Sequence, residues 1–345
     1  MRNLVIKIIG VVLMAIFVIY LFYSPKLKFD VLENPKQNDA SNHAYKQKEP
    51  KYENKKLEKG VGTWIGKPLS HLTQKYGQAE RSYPYKNGFK QYVFRGKDTY
   101  YLVTTKKDSI KSVYATGKKA QVHPFKVRGN ASKVFEHAYI NPEVEIKDQD
   151  ESKEIELSDE DLKTQTLIQY KDTYAQVYSD QETHKILAVR YLDAEALATF
   201  EPYTNKEDSE DAKEEADSVP YSQNANQLMT LYEITNEMRK IKGIKPLKIS
   251  NELGDIAEVN LYNALTEDQT EFTEDALRRE LDRNEIRYDQ LGLNVGYGFN
   301  DVPSVVHNWL NSDSHRSRML NSKYSEMGGE IKDHYYTLLF LKRES

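Results

Sequence analysis

The chain has 345 residues, a net charge of −4 and no cysteine. Its length predicts two or three domains, and 39% hydrophobic with 30% charged residues is typical of a largely soluble, globular protein. The absence of cysteine excludes disulfides, thiol nucleophiles, Cys-ligated zinc, iron–sulfur clusters and a lipid-modified cysteine. Because the net charge is slightly negative, the composition gives no reason to expect a nucleic-acid partner.

An apolar stretch opens the chain. Leu4 to Tyr23 is apolar apart from Lys7 and Gly10, and its 20 residues are enough to cross a membrane as a helix. Positive charges on its N-terminal side predict a cytoplasmic N-terminus, with everything after Pro25 outside the cell. A cleaved signal peptide is the alternative, but the flank lacks the small residues of a cleavage site. We therefore predict an uncleaved, single-pass anchor at residues 1–23, in a cysteine-free exported protein that fits a Gram-positive cell envelope.

Two polar segments divide the remainder. Residues 24–60 carry nine lysines against six acidic residues and lack hydrophobic periodicity, which predicts an extracellular stalk. The lysine excess would suit a segment close to an anionic membrane or wall polymer, although a plain solvated linker explains it equally. Residues 201–220 carry eight acidic residues against two lysines and predict an extended linker between domains. The folded parts are then expected at residues 61–200 and 221–345.

Residues 61–200 contain an internal duplication. The tetrapeptide Lys97–Tyr100 recurs 74 residues later as Lys171–Tyr174, and strand-like segments flank both copies in the same order. A short helix is expected before each copy, at Pro68–Tyr76 and Ala131–Tyr139. The pattern predicts two small α/β units with antiparallel sheets, at about 61–120 and 121–200; a chance repeat is the alternative. Four histidines in this region, at no metal-binding spacing, are expected to be at the surface or half-buried: His71, His123, His137 and His184.

The C-terminal part is predicted to be mainly helical from Tyr221 onward. Apolar residues three or four apart indicate a first helix that contains Leu228 to Met238 and ends before Gly243. Three further helices are expected at about Leu253–Ala264, Ala276–Arg283 and Val302–Leu310. Two strands, at about Glu326–Ile331 and Tyr335–Leu341, are expected to close the chain.

Several motifs in this part resemble those of bacterial CAP domains, the SCP/PR-1-like superfamily. They follow the family's order across about 120 residues and comprise Asn236–Arg239, Lys242–Leu247, Gly292–Gly298, Val306–Ser312, His315–Arg316, Met319–Leu320 and Tyr324–Gly328. The resemblance implies an α+β protein with a C-terminal α-β-α sandwich. The duplicated region resembles, less closely, the CAP-associated domain that precedes CAP domains in Firmicute membrane proteins.

The resemblance also implies a cleft, which in the family is lined by two histidines and two acidic residues able to hold a divalent metal. His315 matches the second histidine, whereas Asn260 stands at the first and Leu293 replaces one acid. The other acid would be Glu267, Asp268 or Glu271. The candidate cleft residues are His315, Asn260, Leu293, Asn294, Ser312, Arg316, Trp309 and Tyr297.

This donor set predicts weak metal binding. Catalytic zinc usually needs three protein ligands and an open position for water, and leucine supplies no ligand. No cofactor is therefore expected, with zinc or magnesium on His315 kept as an alternative. Ser312 with His315 could form a nucleophile and base, but a serine there is also a routine helix cap. Trp309 is expected in the core or in a ligand cleft, and His307 is expected at the surface.

Three functions follow from these observations. The first is a non-catalytic binding or scaffold module whose anchor places it at the cell surface, against a wall polymer, a lipid or a membrane protein. The second is a metal-dependent hydrolase that acts on a cell-envelope substrate through His315. The third is a structural partner in envelope assembly that uses the duplicated domain as its interaction surface. The depleted donor set favours the first.

Overall fold

A computed structural model describes residues 28–33, 53–148, 151–203, 221–266, 272–332 and 334–344. The membrane helix predicted at 1–23 and most of the predicted acidic linker lie outside these residues. Among the helices that are described, none is both long and apolar enough to cross a membrane.

The described residues form two halves, each built on one sheet. Their strands are β1 (Val31–Glu33), β2 (Arg81–Pro84), β3 (Lys90–Gly96), β4 (Thr99–Lys106), β5 (Ser109–Thr116), β6 (Glu143–Asp148), β7 (Glu151–Glu156), β8 (Gln165–Tyr170), β9 (Thr173–Asp180), β10 (Lys185–Leu192), β11 (Lys248–Ile249), β12 (Tyr288–Tyr297), β13 (Glu326–Lys332) and β14 (Tyr335–Arg343). Their α-helices are α1 (Ser70–Tyr76), α2 (Lys133–His137), α3 (Asp159–Thr164), α4 (Ala194–Phe200), α5 (Tyr221–Ile241), α6 (Asn251–Thr266), α7 (Glu274–Arg283), α8 (Val302–Leu310) and α9 (Asp313–Met319).

The two predicted repeats share a single antiparallel sheet instead of forming one sheet each. The sheet has seven strands in the order β2-β3-β4-β5-β10-β9-β8, and each repeat contributes a three-stranded meander. The meanders join through their last strands, where Val113 pairs with Tyr191 and Ala115 with Val189. The repeated Lys-Asp pair forms the two-residue turn of each first hairpin, with a left-handed φ of 66° at Asp98 and 54° at Lys171. The repeat is thus visible in three dimensions, but both copies contribute side chains to the same hydrophobic clusters on the shared sheet.

The C-terminal half is a three-layer α-β-α sandwich. Its sheet has the order β1-β12-β14-β13-β11. Helices α6 and α7 cover one face, while α5, α8 and α9 cover the other. Side chains of β12 and β14 alternate between these layers, because successive residues of a strand point to opposite faces. The predicted helices agree with α5 to α8 in position, and Val302–Leu310 agrees in both of its ends.

Strand β12, which carries the Gly292–Gly298 motif, was not predicted. Its glycines interrupt the alternation of side chains by which a strand is usually identified. They are required by close packing: a Cβ on Gly292 would lie 2.5 Å from the Tyr324 hydroxyl, and one on Gly296 would lie 2.7 Å from Val305 Cγ2. The same glycines that obscure the strand pattern in the sequence therefore allow α8 and Tyr324 to pack closely on the strand.

Both ends of the segment predicted as a stalk carry tertiary contacts. Residues 31–33 form β1, the parallel edge strand beside β12, with Val31 opposite Val295. Near the other end, the Asn54 amide donates to the Tyr139 carbonyl at 2.7 Å and accepts from the Tyr139 N–H at 2.8 Å. Residues 28–33 thus belong to the C-terminal sandwich, although the chain then passes to the N-terminal half.

Candidate functional site

His315 lies in the first turn of α9 and is 1% exposed. Its Nε2 is 3.0 Å from the Asp30 carbonyl oxygen. Because a carbonyl only accepts, Nε2 carries the proton and donates, which leaves Nδ1 as an acceptor. Nδ1 lies 2.9 Å from Ser312 Oγ and 3.2 Å from Ser314 Oγ. Burial lowers the pKa of His315, so the neutral ring is favoured.

Ser312 and His315 form a hydrogen-bonded pair with the geometry of a nucleophile and a base. Ser312 stands at the N-cap position of α9, but its side chain makes no capping hydrogen bond. The group that orients the imidazole is the Asp30 carbonyl, not a carboxylate. A base with a lowered pKa removes a serine proton less readily. The geometry of the pair therefore suits a structural role better than the activation of Ser312 as a nucleophile.

Asn294 and Trp309 lie on the same side of the sheet as His315. Asn294 Nδ2 donates to the His315 carbonyl at 3.0 Å, which ties β12 to α9. Trp309 is fully buried, lies parallel to the imidazole with 6.4 Å between ring centroids, and points its indole N–H at the Val295 carbonyl, 3.4 Å away. Trp309 is therefore a core residue behind the histidine.

The sheet separates Leu293 and Asn260 from His315. Leu293 is 1% exposed and packs in the cluster formed by α6, α7 and the strands beneath them. Asn260 is buried on α6, in that same layer. Asn294, the neighbour of Leu293, faces α9 instead. The structure thus distributes the matched family positions over both faces of the sheet.

Arg316 and Tyr297 are engaged elsewhere. Arg316 donates through both Nη atoms to Asp180 of the N-terminal half, at 3.0 and 3.2 Å, and its Nε pairs with Glu182. Tyr297 packs its ring against Tyr335, with centroids 4.4 Å apart. Both side chains are thus engaged away from His315.

The described residues around His315 do not by themselves supply the ligands of a divalent metal. Both nitrogens of His315 are already hydrogen-bonded, and Leu293 supplies no donor atom. Within the described ranges, no three histidine, cysteine or acidic side chains are grouped to hold a metal ion. The three candidate acids, Glu267, Asp268 and Glu271, lie outside those ranges. The His315 ring instead hydrogen-bonds to the main chain of the segment that contains Asp30.

His307 is buried between the two halves, so its predicted surface position is wrong. Its ring stacks on Tyr178 with centroids 4.1 Å apart, and its Nε2 lies 2.9 Å from the Tyr114 hydroxyl. Burial lowers the pKa of His307 to about 3, which keeps the ring neutral. Four other histidines, which were predicted to be at the surface or half-buried, are exposed: His71, His123, His137 and His184.

A buried carboxylate also joins the two halves. Glu233 of α5 accepts from Arg81 at 2.7 Å, Arg95 at 3.0 Å and the Tyr100 hydroxyl at 2.8 Å. Burial raises the pKa of Glu233, and the two guanidinium groups oppose that rise. The sequence holds one signal of this interface, which was missed: the apolar residues of α5 spread over more than one face of the helix. A helix with such a wide apolar surface is buried on several sides, and α5 packs on β13 of one sheet and on β2 of the other.

Comparisons with known proteins match both halves. A model of the CAP-associated N-terminal domain matches residues 65–203, and a model of the cysteine-rich secretory protein family matches residues 232–339. The crystal structure of a cysteine-rich secretory protein from Staphylococcus aureus is similar, with a TM-score of 0.82 and 51% identity. It covers 92% of this chain and 100% of that one.

Two Bacillus proteins are also similar, one in sequence and one in fold. The uncharacterized membrane protein YlbC of Bacillus subtilis is 26% identical over 298 residues, which cover 82% of this chain and 84% of that protein. An extracellular protein containing a SCP domain from Bacillus anthracis shares the fold, with a TM-score of 0.71 and 23% identity over 87% of this chain and all of the solved one.

Proposed function

This chain belongs to the cysteine-rich secretory protein family, and on that premise we propose that it is a membrane-attached binding or scaffold module of the bacterial cell surface, without metal-dependent catalysis. The observation that carries the proposal is the environment of His315. His315, which matches a metal-binding histidine of the family, donates through its Nε2–H to the Asp30 carbonyl and accepts at Nδ1 from serine hydroxyls. Because both ring nitrogens are hydrogen-bonded within the protein, the side chain is positioned for a structural role.

The interface between the halves supports a scaffold role. Asp180 of the N-terminal sheet binds Arg316 and pairs with Lys242, both from the C-terminal half. Arg190 on the same sheet binds Asp301 at 2.6 Å. These ion pairs cross the interface between the halves, so in the structure the halves form one body. Such a body can present surfaces from both domains to one partner.

The apolar segment at 1–23 supports membrane attachment, and one relative, YlbC, is described as a membrane protein. Four residues, 24–27, separate this segment from Lys28. Four residues span at most about 14 Å. The docked β1 would therefore hold the C-terminal domain close to the outer surface of the membrane.

Metal binding is the first test. The fragment from Lys28 onward is titrated with zinc and with magnesium by calorimetry, beside a His315→Ala variant. We expect no stoichiometric binding by either protein. Binding of one ion near or below micromolar by the parent, lost in the variant, would replace this proposal with the metal-dependent hydrolase that acts on an envelope substrate through His315.

Surface exposure is tested separately on whole cells. Because the chain has no cysteine, a Phe135→Cys variant, at a side chain that is 57% exposed, gives one site for a membrane-impermeant maleimide. We expect labelling of intact cells and of the membrane fraction. A Val113→Cys variant, at a buried strand position, is the matched control and should stay unlabelled. Labelling of Phe135→Cys only after lysis would refute the proposed location.

A further inference from the structure

Residues 28–33 bind along the edge of β12 and across the site of His315. Three residue pairs, from Val31–Val295 to Glu33–Tyr297, are in parallel register. Just before them, the Asp30 carbonyl accepts from His315 Nε2 at 3.0 Å. The Phe29 N–H donates to the Phe272 carbonyl at 2.8 Å, beside the start of α7. Main-chain pairing of this kind is how an extended peptide adds to an exposed sheet edge.

The side chains of this segment enter separate apolar layers. Phe29 and Val31 pack on the cluster beneath α6 and α7, and Leu32 packs on the cluster beneath α8 and α9. The Arg318 guanidinium lies over the Phe29 ring, 5.3 Å from its centroid. Pockets for alternate side chains are what gives strand addition its specificity. The contacts therefore select a short pattern of an aromatic residue followed by aliphatic ones.

Polar groups on the α9 side of β12 remain unsatisfied with this segment in place. Gln290 Oε1, Asn294 Oδ1 and Arg318 Nη1 are buried and have no hydrogen-bond partner among the described residues. Buried polar atoms of this kind are rare in folded proteins and call for an explanation. The β1 contact covers only the last three residues of the ten-residue strand β12. A ligand that continues along β12 would pass beside these three groups.

We propose that the edge of β12, together with His315, Arg318 and Phe272, is a strand-acceptor site for an extended peptide, which residues 28–33 of the same chain fill as a displaceable internal ligand. The inference rests on the proposed binding role and names its class of ligand. A three-residue strand at a sheet edge belongs to the least stable parts of a fold. An incoming peptide with the same pattern can therefore displace it, as one strand leaves the edge and another pairs there.

The docked state is tested in the full chain, purified in detergent. Val31→Cys and Val295→Cys place two thiols at partner positions of neighbouring strands, about 4.8 Å apart, within the Cα range that a disulfide accepts. We expect oxidation to give an intramolecular cross-link, seen as a mobility shift that a reductant reverses. Val31→Cys with Val259→Cys, on the exposed outer face of α6, is the control and should not cross-link. Equal cross-linking of both pairs, or of neither, would overturn the docked arrangement.

Ligand binding is then measured by fluorescence anisotropy with a labelled peptide of the sequence 28–33. A Val31→Asp/Leu32→Asp chain, whose own segment is expelled from the apolar layers, should bind this peptide about tenfold more tightly than the parent. That factor follows from a tethered segment at millimolar effective concentration competing with a peptide whose Kd is about 100 µM. A scrambled peptide should bind neither chain.

A Phe29→Ala chain gives a second, milder test, because it removes only the ring beneath Arg318. Its affinity for the peptide should fall between those of the parent and the double variant. Equal affinity for all three chains would place the peptide at another site, and lack of binding to both variants, folded by circular dichroism, would remove the acceptor site. Either result leaves the metal titration and the cell-surface labelling unaffected, so failure of this inference is distinguishable from failure of the proposed function.

Discussion

Removing Arg190 should expose how strongly the two halves depend on each other. Its guanidinium is buried, binds Asp301 Oδ2 at 2.6 Å and donates twice to Gln176 Oε1, at 2.9 and 2.6 Å. Asp301 is also buried and caps α8, because its Oδ1 accepts from the Ser304 N–H at 2.8 Å. One ion pair therefore links the inner strand β10 of the N-terminal sheet to the start of a C-terminal helix.

The expected effect of Arg190→Met is a loss of about 3–5 kcal/mol in the free energy of unfolding, since a buried carboxylate loses its charged partner. Asp301→Asn alone should cost a similar amount through the stranded guanidinium, while it keeps a good helix cap. The double variant contains neither charge and should recover to within about 1–2 kcal/mol of the parent, because replacing a whole buried pair is often close to neutral.

Urea unfolding of the fragment from Lys28 onward measures these values. The chain has two tryptophans, Trp64 in the N-terminal half and Trp309 in the C-terminal half, and both are buried. Variants with Trp64→Phe or Trp309→Phe let each half be followed alone. With the Arg190–Asp301 pair intact, we expect both halves to unfold at the same urea concentration. In Arg190→Met we expect the two halves to unfold at different urea concentrations. A double variant as unstable as the sum of the single changes would refute the reasoning, since it would show that the charges do not act on each other.

Three further predictions concern single positions. Lowering the pH from about 6.5 toward 3 should destabilise the protein by up to about 1.4 kcal/mol per unit through His307, because the unfolded state binds the proton more readily than the folded one. His307→Gln should remove that part of the pH dependence in urea titrations, and parallel curves for the two proteins would contradict it. Leu293→Glu should lower the free energy of unfolding by at least about 3 kcal/mol, because it buries an unpaired carboxylate. The control Leu293→Met should lower it by less than about 1.5 kcal/mol. If thermal unfolding shows that the glutamate variant is as stable as the parent, the position faces solvent. Gly328→Ala should lower the free energy of unfolding by about 1–3 kcal/mol or more, since its Cβ would lie 2.4 Å from the backbone of Leu253 and Gly254. Gly254→Ala is the control: its Cβ would meet no atom closer than 3.8 Å, and because alanine suits a helix better than glycine, the variant should be as stable as the parent or up to about 1 kcal/mol more stable by the same measurement.

Local chemistry made several elements predictable. Helix α8 begins after Asp301, whose side chain caps it, and Pro303 stands in its first turn. Both signals, and the apolar spacing that follows, are contained in about ten consecutive residues. The two Lys-Asp hairpin turns were likewise readable, because a polar pair between alternating apolar runs predicts a tight turn. The order of the family motifs was enough to indicate the α-β-α sandwich, which the similar solved structures support.

The placement of the site residues was not predictable in the same way. Leu293 and Asn294 are neighbours in the sequence, yet the pleat sends one to the α6 layer and the other to α9. Strand β12 itself was hidden by glycines whose purpose is close contact with side chains from elsewhere in the fold. Arg316 belongs to a motif shared with the family, but its partner is Asp180 of the other half. A sequence motif identifies such residues, but it does not show which of them lie on the same face of the sheet or which partners they contact.

The sequence by itself determined most of the described helices, the repeated strand pattern, the family and the absence of thiol chemistry, because each depends on composition or on residues a few positions apart. Only the tertiary structure decided that Asp30 meets His315, 285 residues away, and that Glu233 gathers Arg81, Arg95 and Tyr100. Such contacts form because a folded interior leaves few buried donors and acceptors unpaired. Which partner satisfies each group depends on how sheets and helices pack, and no local pattern in the chain records that choice.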